Sequence, residues 1–346
     1  MKKIFSLLAV AYLLPMNALA QVIDVHSHII PNEYTDFLRA HNAGLQETFP
    51  LPKWDIKAHL DFMEDIGIDY SVLSLPAPQP YFGNSNEGAD MVRKLNVLSA
   101  KVRDENPDKF KFLATLPLPD VKAAIKEVEY AFDVLHADGI KLATNSYGQY
   151  LGDEELDELM AVLNKYHAVV FVHPHRPEPY SPQIIQTTPL AMYEYPAETT
   201  RAIVNMISRN VLAKYPNIKV IIPHCGSFLP LAIPRMKAIF PAMKAKGLMQ
   251  DIDWEKNLAA LYYDLAGVPT ADLIKTMLSI TTPEHILYGS DYPYQPNEVL
   301  QKNLENLRHE LANDKELAPY TEKFLKQNAQ QLFENRRNYR SRNGIW

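Results

Sequence analysis

The chain predicts an α/β fold, a single-domain (β/α)8 TIM barrel, and three observations carry that prediction. Eight short runs rich in β-branched and aromatic residues alternate with longer stretches of helical periodicity. Eight is the strand number that closes a parallel barrel. No glycine-rich phosphate loop follows the first run, which argues against the competing open, doubly wound sheet. The 346 residues, 47% hydrophobic and 22% charged, exclude a disordered, collagen-like or disulfide-stapled chain.

Residues 1–20 read as an address. Lys2 and Lys3 form a basic start, Ile4 to Leu14 is apolar, and Ala18-Leu19-Ala20 is an A-x-A cleavage site. A bilayer needs roughly 20 apolar residues, so this stretch is short for a span. The expectation is cleavage after Ala20 and an enzyme of the periplasm without stable membrane insertion; an uncleaved N-terminal anchor is the alternative. Losing Lys2 and Lys3 takes the net charge from −6 to −8. Lys and Arg are scattered among Asp and Glu, so no nucleic-acid footprint is expected. The single cysteine, Cys225, excludes an intrachain disulfide and a multi-cysteine zinc site.

From residue 21 onward the strands are expected, in order, at Val22–Val25, Tyr70–Leu75, Phe110–Leu116, Gly139–Leu142, Val169–Val172, Lys219–Ile222, Leu261–Asp264 and Ile286–Tyr288. Helical patterns between them include Ile56–Ile66, Gly88–Glu105, Val121–His136, Asp153–Tyr166 and Glu198–Tyr215. Pro76 to Pro80 and Pro174 to Pro182 read as loops, because proline lacks a donor and restricts its predecessor. The basic tail Arg336 to Arg342 is expected to be solvated.

Chemistry-bearing residues collect at the ends of these strands. The first run leads into His26 and His28, which point to the same side because they are two apart. Two imidazoles supply half of a mononuclear site for a borderline metal, although an H-x-H pair alone is a weak signal. His173 closes the fifth run, His224 follows the sixth, and Asp291 follows the eighth. These are C-terminal strand ends, where barrel enzymes gather their catalytic groups. A buried histidine is usually a core residue and an Asp after Gly-Ser is usually a turn. Four coincidences at strands one, five, six and eight outweigh those plainer readings. His41, His59, His136, His167, His285 and His309 are expected to be structural or exposed.

With these residues in place, the chain resembles the amidohydrolase superfamily, in the branch of metal-dependent nonoxidative decarboxylases. Phe110 to Pro119, Tyr150-Leu151-Gly152-Asp153, Val169 to Pro174 and Tyr195 to Ala202 look closest to its 6-methylsalicylate decarboxylase group. The resemblance implies one divalent ion, Zn2+ first and Mn2+ as the alternative, held by His26, His28, His173 and Asp291. It implies proton handling by His224, with Asp291 as a second candidate for the relay. The implied substrate is a small hydroxylated aromatic or related unsaturated carboxylic acid. Arg235 matches an arginine that reaches the substrate of a neighbouring subunit, which implies a homodimer. Phe228 is a candidate wall for a flat ring, as is Trp54, for which core packing is an equal reading. His175 could share the side of His173, but Pro174 interrupts the strand, so His175 is read as a pocket residue rather than a ligand.

Lys141 in strand four keeps a different enzyme open. In binuclear amidohydrolases a strand-four lysine is carboxylated and bridges two metals. An inward Lys141 would permit a hydrolase of lactones, amides or esters. A noncatalytic binding protein on the same scaffold is disfavoured by the complete set of strand-end residues.

Overall fold

Eight parallel strands follow one another around a barrel in chain order in the computed structural model, which describes residues 21–183 and 188–343. They are β1 (Val22–His28), β2 (Ile68–Ser74), β3 (Phe110–Thr115), β4 (Gly139–Ala143), β5 (Val169–His173), β6 (Lys219–Ile222), β7 (Leu261–Asp264) and β8 (Ile286–Leu287). The ring is closed by Val25 N–H donating to Tyr288 O at 3.0 Å and His28 N–H donating to Tyr292 O at 2.8 Å. The expected barrel is therefore observed. Residues 1–20, on which the expected cleaved leader falls, lie outside the described residues. Among the described residues no helix is long and apolar enough to cross a membrane.

The barrel interior follows from strand alternation. Val169 and Phe171 of β5 point inward with Val72, Leu113, Ile221 and Leu287. Ile23 and Val25 join them from β1, and Ala329, Leu332 and Phe333 of the helix Asn328–Asn343 seal the floor. The pairing of β1 with β2 is irregular between Asp24 and Ser27. Such a bulge shifts the alternation by one residue, so odd positions face the lumen below it and His26 and His28 face it above. A larger apolar layer lies between the strands and the surrounding helices.

Helix boundaries depart from expectation where capping intervenes. Asn84 accepts from the N–H groups of Asn86 and Glu87, so the third long helix begins at Ser85 rather than Gly88. Asn210 at φ 56° divides the expected Glu198–Tyr215 helix into Glu194–Ser208 and Val211–Lys214. The expected helix to His136 stops at Asp133. The basic tail is not wholly solvated. Arg336 is buried, donates to Ala137 O at 2.9 Å and lies over the Phe132 ring. Its aliphatic stem serves as packing material while its charge keeps polar partners.

Candidate metal centre and active site

At the C-terminal mouth, His26 and His28 from β1 meet His173 from the end of β5, and their ligand-capable nitrogens converge. A second triple, His26, His224 and Asp291, shares the same centre. Asp291 Oδ1 lies 3.2 Å from His26 Nε2 and 3.1 Å from His28 Nε2, while its Oδ2 is 3.6 Å from His224 Nε2. All five strand-end residues singled out in the sequence thus come together.

The ring orientations are set by what lies behind them. His28 Nδ1 faces Ser74 O at 3.2 Å, and His173 Nδ1 faces Pro174 O at 2.9 Å. A carbonyl oxygen only accepts, so both rings carry their proton on Nδ1 and offer a bare Nε2 to the centre. His26 Nδ1 faces Asp264 Oδ2 at 2.9 Å. Asp291 is fixed through its backbone, its N–H donating to His26 O at 2.8 Å. Gly289 permits this approach: a Cβ there would stand 2.7 Å from His26 Cβ and 3.2 Å from Asp264 Cγ.

The donor set fits a divalent cation. His26 Nε2 is buried and makes no well-aligned hydrogen bond, although Asp291 Oδ1 lies 3.2 Å away, an arrangement that a bound ion would complete. Burial opposes charge on His26, yet Asp264 and Asp291 beside it push its pKa up to about 10. Burial holds His28 below the usual histidine range and His173 well below it, where His28 and Lys141 push it further. Asp291 is held well below the usual carboxylate range; burial opposes this, and His26, His224 and His28 outweigh it. His28 and His173 are thus held neutral and Asp291 ionised, the form in which such groups ligate a borderline metal, and a bound cation would displace the extra proton that the two carboxylates hold on His26.

Above the centre is a cavity of about 540 Å³. His173, His224 and Asp291 line it, with Phe49, Tyr195 and Tyr294 as aromatic walls and Pro50, Pro52 and Pro189 around the mouth. No lysine or arginine is among the described residues that line it.

Other expected site residues lie elsewhere. Phe228 faces a neighbouring groove with Tyr150, Thr200 and Arg201. Arg235 is exposed on the helix Leu229–Ala245. Trp54 is partly buried, packs against the core and donates to His59 Nδ1 at 3.1 Å, and it is not among the residues that line this cavity. His175 is buried beside Lys141, with 3.4 Å between Nε2 and Nζ, and borders a small separate pocket with Gln46 and Arg176. Lys141 does point inward. Its register partner is Phe171, and Ala143 is the residue opposite His173, so the lysine is rooted one layer below the ligands.

Sequence reasoning missed Asp264, Glu47, Tyr195 and Tyr294. Asp264 ends an expected strand, so the rule that found His173 would have found it. Glu47 gave no such signal. It comes from the loop after the first helix, is buried, and accepts from Tyr195 Oη at 2.9 Å and Arg176 N at 3.0 Å.

Comparison with known proteins gives the family and agrees with the fold. The amidohydrolase family profile Amidohydro_2 matches residues 23–334. A 6-methylsalicylic acid decarboxylase of Aspergillus aculeatus is 31% identical over 319 residues, covering 90% of this chain and 95% of the relative. A solved structure of an amidohydrolase II is 33% identical with a TM-score of 0.82, covering 90% of this chain and 99% of that one. The 5-carboxyvanillate decarboxylase of Novosphingobium aromaticivorans, solved with manganese and 4-hydroxy-3-methoxy-5-nitrobenzoic acid, shares the fold at TM-score 0.81 and 19% identity. It covers 92% of this chain and 97% of its own. The protein belongs to the amidohydrolase family and is homologous to metal-dependent decarboxylases of small hydroxylated aromatic acids.

Proposed function

We propose that the protein is a metal-dependent, nonoxidative decarboxylase of a small hydroxylated aromatic acid of the 6-methylsalicylate kind. One observation carries the reading: His224 stands beside a three-imidazole, one-carboxylate metal set on the floor of an aromatic-walled cavity. His26, His28, His173 and Asp291 would hold the ion, which supplies charge neutralisation and a fixed seat for substrate oxygens. Zinc suits this donor set, with manganese as the alternative.

The remaining work falls to side chains. Phe49, Tyr195 and Tyr294 enclose a flat ring and exclude water from it. His224 is part-exposed to the cavity and Asp291 is within reach of its Nε2, so a proton can pass from this pair to the ring carbon bearing the carboxylate. When that carbon–carboxylate bond breaks, its electron pair restores the aromatic ring and CO₂ leaves.

Arg235 and Phe228 reach a substrate only if a second copy presents them. The exposed Leu231 and Ile239 on the same helix as Arg235 support a homodimer. The basic, apolar and A-x-A sequence of residues 1–20 supports export to the periplasm with cleavage after Ala20.

The test is product analysis of metal-loaded protein with hydroxybenzoates and simple lactones in heavy water. The expected result is CO₂ release and deuterium at the carbon that lost it. Ring-opened or amine products without CO₂ would replace this reading by the hydrolase, for which inward-facing Lys141 is the structural argument. That hydrolase would also bind two ions per chain and lose one in Lys141→Ala.

A further inference from the structure

Asp264 ends β7 fully buried and bonds in two directions. Oδ1 accepts from the main-chain N–H groups of His224 and Ala266, both at 3.0 Å. Oδ2 faces His26 Nδ1 at 2.9 Å. Because both partners of Oδ1 are main-chain donors, this end of the side chain must present an acceptor. Each of the three imidazoles of the centre is therefore held from behind by an acceptor. For His28 and His173 a main-chain carbonyl serves, which no substitution removes, and Ser74 Oγ also lies 3.2 Å from His28 Nδ1. For His26 the acceptor is the Asp264 side chain alone.

We propose that Asp264 is a positioning residue: it keeps the proton of His26 on Nδ1, so that Nε2 is free to bind the metal, and the same carboxylate seats the His224 turn. The proposal rests on the metal site and not on the reaction performed there.

The directionality makes an unusual demand of substitutions. In Asp264→Asn, the amide oxygen stays with the two backbone donors and the amide NH₂ is turned toward His26 Nδ1. Donor would then face donor unless the ring moves its proton to Nε2, the position the metal needs. Asp264→Ala removes the same charge but imposes no tautomer. The more conservative change is thus the more damaging one for metal binding. For folding the order reverses, because Asn keeps an acceptor for His224 and Ala266 and Ala does not.

Zinc is titrated into metal-stripped protein against a competing chelator, and metal-free urea unfolding is followed in parallel. Loss of a partner behind a ligand typically weakens metal binding about 10–100-fold. The expected losses are about 10-fold for Asp264→Ala and about 100-fold for Asp264→Asn, near the two ends of that range. Asp264→Asn is expected to be the more stable of the two. A purely structural residue would favour Asn in both measurements, so zinc binding by Asp264→Asn as tight as that of Asp264→Ala would overturn the proposal. Should Asp264→Ala not fold, nitrogen-15 spectra of histidine-labelled, metal-free Asp264→Asn read the tautomer directly. At a pH where the ring is neutral, an Nε2–H form of His26 supports the proposal, and an Nδ1–H form or a ring that stays doubly protonated rejects it. Neither measurement uses substrate, so failure of decarboxylation leaves it standing.

Discussion

The lower and upper halves of the barrel lumen are built from the same strands to opposite ends. Below, Ile23, Val25, Val72, Leu113, Val169, Phe171, Ile221 and Leu287 form an apolar plug against Phe333. Above, β1 carries His26 and His28, and β5 and β7 end in His173 and Asp264. The rim also carries backbone in the left-handed region, at His224 (φ 57°), Cys225 (φ 54°), Ser227 (φ 55°) and Asp291 (φ 62°). Each such residue costs of the order of 1–3 kcal/mol and persists only where its surroundings hold it. Here Asp264 holds His224 and Cys225 through their N–H groups, and His26 O holds Asp291. The floor is apolar packing, and the rim carries the backbone strain that aims its ligands.

If the two halves are separable, rim substitutions should remove metal or turnover with the fold intact. His26→Ala or Asp291→Ala is expected to lower the metal content well below one per chain. Turnover should fall by roughly 10⁴-fold or more, since the ion contributes several kcal/mol of charge stabilisation. His224→Asn should keep the metal and lose about 10²–10⁴-fold, the usual worth of a proton-transfer group. Metal analysis with single-turnover CO₂ release distinguishes the two; a metal-free His224→Asn would make His224 a ligand.

Phe333→Ala addresses the floor. A buried Phe→Ala change typically costs about 3–5 kcal/mol, so unfolding in urea should occur at clearly lower denaturant. Metal content should be unchanged. Loss of metal at temperatures where the variant remains folded would show that floor and rim are coupled.

Lys141 sits at the boundary and has the smallest expected effect. Burial pushes its amine from 10.5 down to about 7, although Glu47 works the other way. Between those values the unfolded chain holds a proton that the folded protein has released, so the free energy of unfolding rises with pH. Lys141→Met should abolish that rise and gain on wild type more at pH 6 than at pH 9. Equal differences at both pH values would mean that the amine is solvated.

Much of this was legible in the chain because period-two runs and strand-end residues are local signals. The strand β6 at Lys219–Ile222 and β7 at Leu261–Asp264 lie where the pattern placed them. The first strand runs on past the expected Val25 to His28, because its pairing with β2 resumes at Ser27 and His28 beyond the irregularity. For Trp54, wall and core are equal readings from the sequence because an indole serves either, and its place against the core, outside the residues that line the cavity, decides for packing.

By itself the sequence determined the eight alternating strands, the closed parallel architecture and the five residues that meet at its mouth. Each of these follows from hydrophobic period and from the rule that parallel strands end on one face. Tertiary structure alone decided the bulge that turns His26 and His28 inward, and the inward course of Lys141. It also decided the convergence of Asp264 on both His26 and His224. Those depend on register between strands up to 238 residues apart, as for His26 and Asp264, and local composition carries no information about such pairings.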